Sequence, residues 1–452
     1  MTENKTLTRS LQALLFLLFS GWIYLLIVTP VRMCPDSYGY FADADHLFEP
    51  GYHTIRPVLF PLFLRVLHNT PLKMSLVAYL LNCVSLLYMV KLAGGKARPL
   101  FSQRNTIVLI SFLMLIGIWS YCGTYLTESI LFAVQIWIFI FLYKIVFPVK
   151  TSNVLATIGY AMAICLLAIT LKPWIMIMVL LTSVFLCIAS LAFRPFRSKM
   201  VSSFVLLVVA IVSFGVSMEY NRSKSYEKPN IVVFIAGSGF ERTLQERLTS
   251  DKSLSKEDSS FLAAVLSDIE LILHKYDKNP WDASKANEMQ VLNVLDKKYG
   301  PGIDKAYRLM YFQRFGDFMG LVGLALERHV SDLRFDTSCF EIAYGPELPG
   351  LRNLSVILIV GFAVLLLTWQ ATRPDLSTGR KTGLRPIKIY LKENIQLSVF
   401  IGIILLSGII FSLLLALAGA FELKRTNLPA AICQAIAVAW IVMRYPSPSK
   451  NY

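Results

Sequence analysis

Long apolar runs alternate with short polar segments along most of the chain. A helix needs about 20 apolar residues in a row to cross the hydrocarbon core of a bilayer. Runs that approach this length cover residues 10–30, 72–93, 105–122, 125–147, 153–171, 173–193, 200–218, 351–370, 395–420 and 427–443. The pattern predicts an all-α polytopic membrane protein with about ten transmembrane helices.

The basic residues concentrate in alternate loops, and cytoplasmic loops of membrane proteins carry such an excess of Lys and Arg. If the N-terminus with Lys5 and Arg9 is cytoplasmic, the basic loops on that side are 94–104, 148–152, 194–199, 371–394 and the C-terminal tail. Acidic residues are nearly absent from these loops. The same alternation places loop 31–70, segment 219–350 and the turn at 422–425 on the outer side.

Segment 219–350 is the sizeable polar part of the chain, with mixed and nearly balanced charge. Apolar residues recur at helical spacing from Phe261 to Leu273. Ser255 and Asp258 fit a helix start capped by a serine and a third-position acid. The sequence thus predicts three parts: a transmembrane module at 1–218 with outer loop 31–70, a small, mostly helical extracytoplasmic domain at 219–350, and C-terminal transmembrane helices at 351–452.

Charge and cysteine content exclude some kinds of partner. The net charge of +15 would suit a nucleic-acid-binding protein, but the cations lie in short loops between apolar runs. We therefore expect membrane lipid and no nucleic acid as a partner. The seven Cys contain no CxxC pair and the five His lack metal-ligand spacing, so neither a metal site nor a cofactor is predicted from them.

Loop 31–70 concentrates acids, tyrosines and an arginine in an otherwise apolar chain. Ionisable residues pressed against a membrane are costly and are usually functional. Asp36 follows the first apolar run and is compatible with a general base or with a cap of the following helix. Asp45 is compatible with a solvated acid, a ligand for a divalent cation or a partner for substrate hydroxyls. Residues 57–68 predict a short helix at the membrane interface.

Other candidate residues come from distant parts of the chain. Glu128 begins the run at 125–147, and either faces a polar cavity or lies beside a cap formed by Thr127. Lys172 lies between the apolar runs 153–171 and 173–193. Its side chain is compatible either with extension to the membrane–water interface or with binding of a phosphate. Lys424 and Arg425 form a positive pair in an outer turn, against the orientation rule, and therefore indicate an anionic partner.

Four short motifs follow one another in a fixed order on the predicted outer side. They are Asp36 with Tyr40, Arg56-Pro57, Thr127-Glu128 and Lys172-Pro173. This order resembles the GT-C superfamily of membrane glycosyltransferases, in the branch of the protein O-mannosyltransferases and the bacterial aminoarabinose-to-lipid-A transferases. The resemblance covers about the first 200 residues. It departs from the family at Ser37, where a second acid is common, and at Ile55, where the aminoarabinose transferases have an acid; donor sugar and metal use stay open.

The resemblance implies an inverting transfer of a sugar from a polyprenyl-phosphate donor to a cell-envelope glycan or lipid. It implies that module 1–218 is catalytic and that Asp36 is the base which deprotonates the acceptor hydroxyl. Arg56, Lys172, Lys424 and Arg425 would hold the donor phosphate, and Glu128 would orient Arg56 or the sugar. The implied location is a bacterial inner membrane with the site facing the periplasm, and modification of O-antigen lipopolysaccharide is one fitting activity.

Two other functions are compatible with many spans and one large outer segment. A lipid-linked polysaccharide polymerase or ligase would use a pyrophosphate-linked oligosaccharide and key arginines in the large segment, here Arg308 and Arg314. A transporter would show paired broken helices and charges near the bilayer midplane. The charges lie near the ends of the apolar runs, which disfavours the transporter.

Overall fold

The protein is known as a computed structural model. It describes residues 5–29, 31, 35–49, 57–95, 99–114, 119, 121–148, 154–172, 174–224, 245, 248–249, 254–275, 298, 395–417 and 423–444. The predicted span at 351–370 lies outside these residues, as does most of segment 219–350. All regular secondary structure in the described part of the chain is helical, as predicted.

The helices are numbered in chain order. Their bounds are α1 Lys5–Val28, α2 Pro35–His46, α3 Leu59–Val66, α4 Pro71–Gly94, α5 Gln103–Leu113, α6 Glu128–Val146, α7 Val154–Leu171, α8 Ile175–Ala192, α9 Met200–Lys224, α10 Lys256–Lys275, α11 Ile395–Leu417 and α12 Leu423–Arg444. Within the described ranges, 6 helical segments are long and apolar enough to cross a membrane. They lie in α1, α4, α6, α7, α8 and in α9 with the turn before it, and they make this a membrane protein.

The third predicted span differs from the structure. The apolar run at 105–122 predicts one crossing, whereas α5 has 11 residues and ends at Leu113. Of the residues described beyond α5, Trp119 is helical and Tyr121–Gly123 form a 3₁₀ turn. The indole of Trp119 donates to the carbonyl of Phe112 at 2.6 Å, and Thr124 Oγ1 donates to the carbonyl of Tyr121 at 2.8 Å. These residues are buried. An apolar run therefore predicts burial, but burial does not require one continuous helix.

Helix α6 is the centre of the bundle. In the apolar window of α6, 78% of the residues are buried, against 11% for α1, so α1 lies at the edge. The ring of Phe139 packs 5.1 Å from Trp440 of α12, and Tyr143 lies 4.7 Å from the same indole. Aromatic contacts of this kind bury large apolar areas, so α6 holds together helices that are distant in sequence.

Asn82 connects α4 to α6 inside the bundle. Its side-chain amide donates to the carbonyl of Ser129 at 2.8 Å, and its Oδ1 accepts from the backbone N–H of Ala133 at 2.9 Å. Asn82 is fully buried. It lies near the middle of α4, so the first turn of α6 starts well inside the bundle and not at its surface.

Replacing Asn82 by leucine is expected to destabilise the protein by about 1–2 kcal/mol, because polar bonds between membrane helices contribute about that much at most. Unfolding in mixed micelles measures the change. Thr182→Val is the matched control, since the buried Thr182 hydroxyl donates within its own helix, to Met178, at 2.8 Å. Equal effects of the two substitutions would contradict a connecting role for Asn82.

Helices α2 and α3 form a small layer beside the bundle. The rings of Tyr40 and Phe60 meet edge to face at 5.1 Å. The guanidinium of Arg65 donates to the carbonyls of Ala44, at 3.0 Å, and Asp45, at the C-terminal end of α2. A cation at this end also complements the helix dipole. The short helix predicted at 57–68 is confirmed, and it fixes the position of α2.

The described helices belong to two compact units. Helices α1–α9, with α11 up to Phe411 and α12 from Leu428, make up the first. The second contains α10 and the adjoining ends of α11 and α12. In α10 the backbone N–H of Asp258 donates to Ser255 Oγ at 3.0 Å, and that hydroxyl donates to the Asp258 carboxylate at 2.8 Å. The predicted helix and its cap are confirmed.

Candidate functional site

A buried ion pair lies where the start of α6 meets the end of α7. Lys172 Nζ donates to Glu128 Oε1, and Thr127 Oγ1 donates to Glu128 Oε2 at 3.0 Å. The Glu128 side chain is 0% exposed and that of Lys172 is 13% exposed. A buried carboxylate is tolerated when a cation and hydrogen bonds compensate its lost hydration. Both oxygens of Glu128 are bonded here, so the charge is held in one orientation.

The packing of α6 and α7 explains the pair. The helices run antiparallel, since Tyr160 of α7 stacks on Phe141 at 5.6 Å and receives Lys144 over its ring at 5.5 Å. Glu128 precedes Phe141 by 13 residues and Lys172 follows Tyr160 by 12 residues. The antiparallel packing therefore brings the start of α6 to the end of α7, where these two side chains meet. An apolar α7 ends at Leu171 directly before the lysine. The ion pair therefore closes the end of the α6–α7 contact.

Helix α2 lies against the chain just before this pair. Ser37 Oγ donates to the carbonyl of Tyr125 at 3.0 Å, and the ring of Phe41 lies 4.6 Å from the ring of Tyr125. Tyr125 is itself buried and precedes Glu128 by three residues. The first turn of α2 is thus anchored next to the loop that carries the ion pair.

Asp36 lies in that first turn, directly before Ser37, and only its backbone position is described. Arg56 lies outside the described residues. Lys424 and Arg425 lie in the first turn of α12, in the second compact unit, and their side chains are outside the described part. Among the predicted site residues, the structure thus brings Glu128 and Lys172 together, next to the helix α2 that carries Asp36. The phosphate-binding role of Arg56, Lys424 and Arg425 stays a prediction.

The two other acids of α2, Asp43 and Asp45, lie on different faces of the helix. Tyr40 and Asp43 are buried, at 7% and 3% exposed. Asp45 is exposed, and its Oδ1 accepts from Asn69 Nδ2 at 2.9 Å. The sequence predicted Asp43 to be a solvated or helix-face acid, or less favourably a ligand for a cation or for hydroxyls; its burial shows that it is not solvated. Asp43 follows Asp36 by seven residues, which is two helical turns, so the two positions share a face of α2.

The alternatives left open by the sequence can be compared with these contacts. Thr127 precedes α6, but its hydroxyl bonds the Glu128 carboxylate and makes no side-chain cap. Lys172 binds Glu128, a pairing that was not predicted. Within the described ranges, no three residues among His, Cys, Asp and Glu come together as a metal site would require.

Comparison with known proteins adds no identification. No family model matches the chain, and no curated protein or solved structure is significantly similar to it. The resemblance to membrane glycosyltransferases therefore remains a prediction from the motifs.

Proposed function

We propose that this protein is an inverting glycosyltransferase that moves a sugar from a polyprenyl-phosphate donor to a glycan or lipid of the cell envelope. The observation that supports the proposal best is the buried Glu128–Lys172 pair beside the first turn of α2, where Asp36 lies. A buried charge pair among membrane helices, next to an acid-rich helix, is typical of a site for a charged substrate.

In the proposed reaction, Asp36 accepts the proton of an acceptor hydroxyl. The hydroxyl oxygen forms a bond to the anomeric carbon as the bond from that carbon to the phosphate oxygen breaks. The polyprenyl phosphate leaves with the bonding electrons, and the attack from the opposite side inverts the anomeric centre. A positioned carboxylate base contributes about 10²–10⁴-fold to such a step.

Cations would stabilise the charge that develops on the leaving phosphate. An ammonium group has three N–H donors, so Lys172 can bond Glu128 and a phosphate oxygen at the same time. Glu128 then orients the lysine. Arg56 is a further cation proposed for the phosphate, and Tyr40 and Asp45 are proposed to contact the sugar or the acceptor.

The proposed location follows from the distribution of Lys and Arg among the loops. The site faces the side opposite the basic loops, which in a bacterial inner membrane is the periplasm. O-antigen lipopolysaccharide is an acceptor on that side. Polyprenyl-phosphate sugars are presented there in the same leaflet, so donor and acceptor meet without crossing the membrane.

An assay in isolated membranes tests the function. A panel of radiolabelled polyprenyl-phosphate sugars and pyrophosphate-linked oligosaccharides is supplied, and envelope glycolipids are then analysed by mass spectrometry. Transfer of one sugar with an inverted linkage is the expected result. Consumption of pyrophosphate-linked oligosaccharides alone would replace the proposal by a polymerase or ligase, and absence of any transfer across the panel would reject it.

A further inference from the structure

A large apolar cavity lies between α1, α4 and α5, away from the ion pair. Its volume is about 470 Å³, within the range of roughly 300–1,000 Å³ that is common for small-molecule sites. Its walls are mainly aliphatic and aromatic: Leu15 and Phe16 of α1, Leu86 and Leu87 of α4, and Leu109 and Leu113 of α5. A cavity with such walls excludes water, so its occupant is apolar.

The cavity runs lengthwise along the helices. At one end the Gln12 amide donates to the carbonyl of Phe101 at 3.0 Å, and at the other Trp22 donates to the carbonyl of Leu113 at 3.0 Å. The 11 residues of α5, Gln103–Leu113, extend roughly 16 Å along the helix. This length fits the tail of one leaflet. Phe16 is 68% exposed, so the cavity opens sideways towards lipid.

Basic residues lie near the Gln12 end of the cavity, one on each of the three helices. Arg9 precedes Gln12 by three residues, Lys91 follows Leu87 by four, and Arg104 follows Phe101 by three. The sequence from Pro50 to Thr127 contains no acidic residue. Helices α4 and α5 thus contribute only basic ionisable groups at this end, which favours an anionic headgroup.

We infer that the cavity is a binding site for a phospholipid with an anionic headgroup, whose acyl chain enters between α1, α4 and α5. The headgroup lies at the end with Arg9, Lys91 and Arg104, and the chain extends towards Leu113. The site is separate from the proposed reaction centre and does not depend on the proposed transferase activity. It holds α1, the least buried of the membrane helices described, against α4 and α5.

Photolabelling tests the inference on the full chain. Phosphatidylglycerol with a diazirine in one acyl chain is added to vesicles of phosphatidylcholine that contain the protein. Labelled peptides are expected from α4 and α5. Leu87→Trp fills the cavity and is expected to lower this labelling about tenfold. Leu15→Trp fills the cavity from α1 and is expected to lower the labelling in the same way. Leu166→Trp, on the exposed face of α7, is the matched control and is expected to leave the labelling unchanged.

The headgroup is tested by charge removal and competition. Lys91→Gln is expected to lower phosphatidylglycerol labelling about threefold, whereas Lys73→Gln, in the first turn of α4, leaves it unchanged. Unlabelled phosphatidylglycerol is expected to compete better than phosphatidylcholine. Unchanged labelling in both tryptophan variants, equal competition by the two lipids, or displacement by polyprenyl phosphate alone would each overturn the inference. Size-exclusion profiles confirm that the variants are folded.

Discussion

Replacement of Asp36 by asparagine is expected to lower the rate of sugar transfer about 10²–10⁴-fold, the usual contribution of a positioned general base. Asparagine has nearly the same shape and cannot accept the proton of the acceptor hydroxyl. The initial rate of transfer in membranes measures the effect with the donor that the panel assay identifies. The same membranes report the amount of inserted protein by immunoblot, so that a loss of protein is not mistaken for a loss of chemistry.

Two further substitutions make this prediction specific. Glu49→Gln removes an exposed acid from the same region, whose carboxylate lies 2.7 Å from the imidazole of His46, and is expected to leave the rate unchanged. Asp43→Asn alters the buried acid of α2. If Asp43→Asn abolishes transfer while Asp36→Asn retains the full rate, the base has been assigned to the wrong aspartate, although the site remains. Full activity in both variants would reject a base on α2.

Replacement of Glu128 by alanine is expected to destabilise the protein by about 3–5 kcal/mol, because it leaves Lys172 largely buried without its carboxylate. Lys172→Met is expected to have an effect of similar size, since it leaves a fully buried carboxylate without its cation. Unfolding in mixed micelles, followed by the fluorescence of the Trp residues, measures the change. This pair carries the largest stability effect expected from the described residues.

The double variant Glu128→Leu with Lys172→Met separates stability from function. Replacing a buried pair by apolar residues of similar volume is often neutral or stabilising, so the double variant is expected to recover most of the stability. It is expected to remain inactive, because Lys172, which is proposed to bind the phosphate, and Glu128, which is proposed to orient it, are both gone. A double variant as unstable as either single variant would contradict the electrostatic explanation, and an active one would show that the pair is purely structural.

Helix positions could be predicted from the sequence to a large extent. The predicted spans at 72–93 and 153–171 agree closely with α4 and α7, Pro71–Gly94 and Val154–Leu171. The short helix after Pro57 and the capped helix after Ser255 were also predicted. In each case the signal is local: the length of an apolar run, its flanking prolines, or a capping residue a few positions away.

Within the candidate site, the sequence supplied the residue types and their order along the chain. The alternation of basic loops predicted that Asp36, Glu128 and Lys172 lie on one side of the membrane. The sequence could not state which charges meet. Glu128 and Lys172 are 44 positions apart, and their contact depends on the rotation and stagger of α6 against α7, which side-chain packing decides.

Hydropathy and loop charge by themselves determined that this is a helical membrane protein and where most of its helices lie, because both are sums over neighbouring residues. The tertiary structure alone decided that α5 stops at Leu113, that Asp43 is buried and that Lys172 pairs with Glu128. The physical reason is that an apolar residue is compatible with many neighbours, whereas a buried charge requires one particular partner, and only the packed helices supply it.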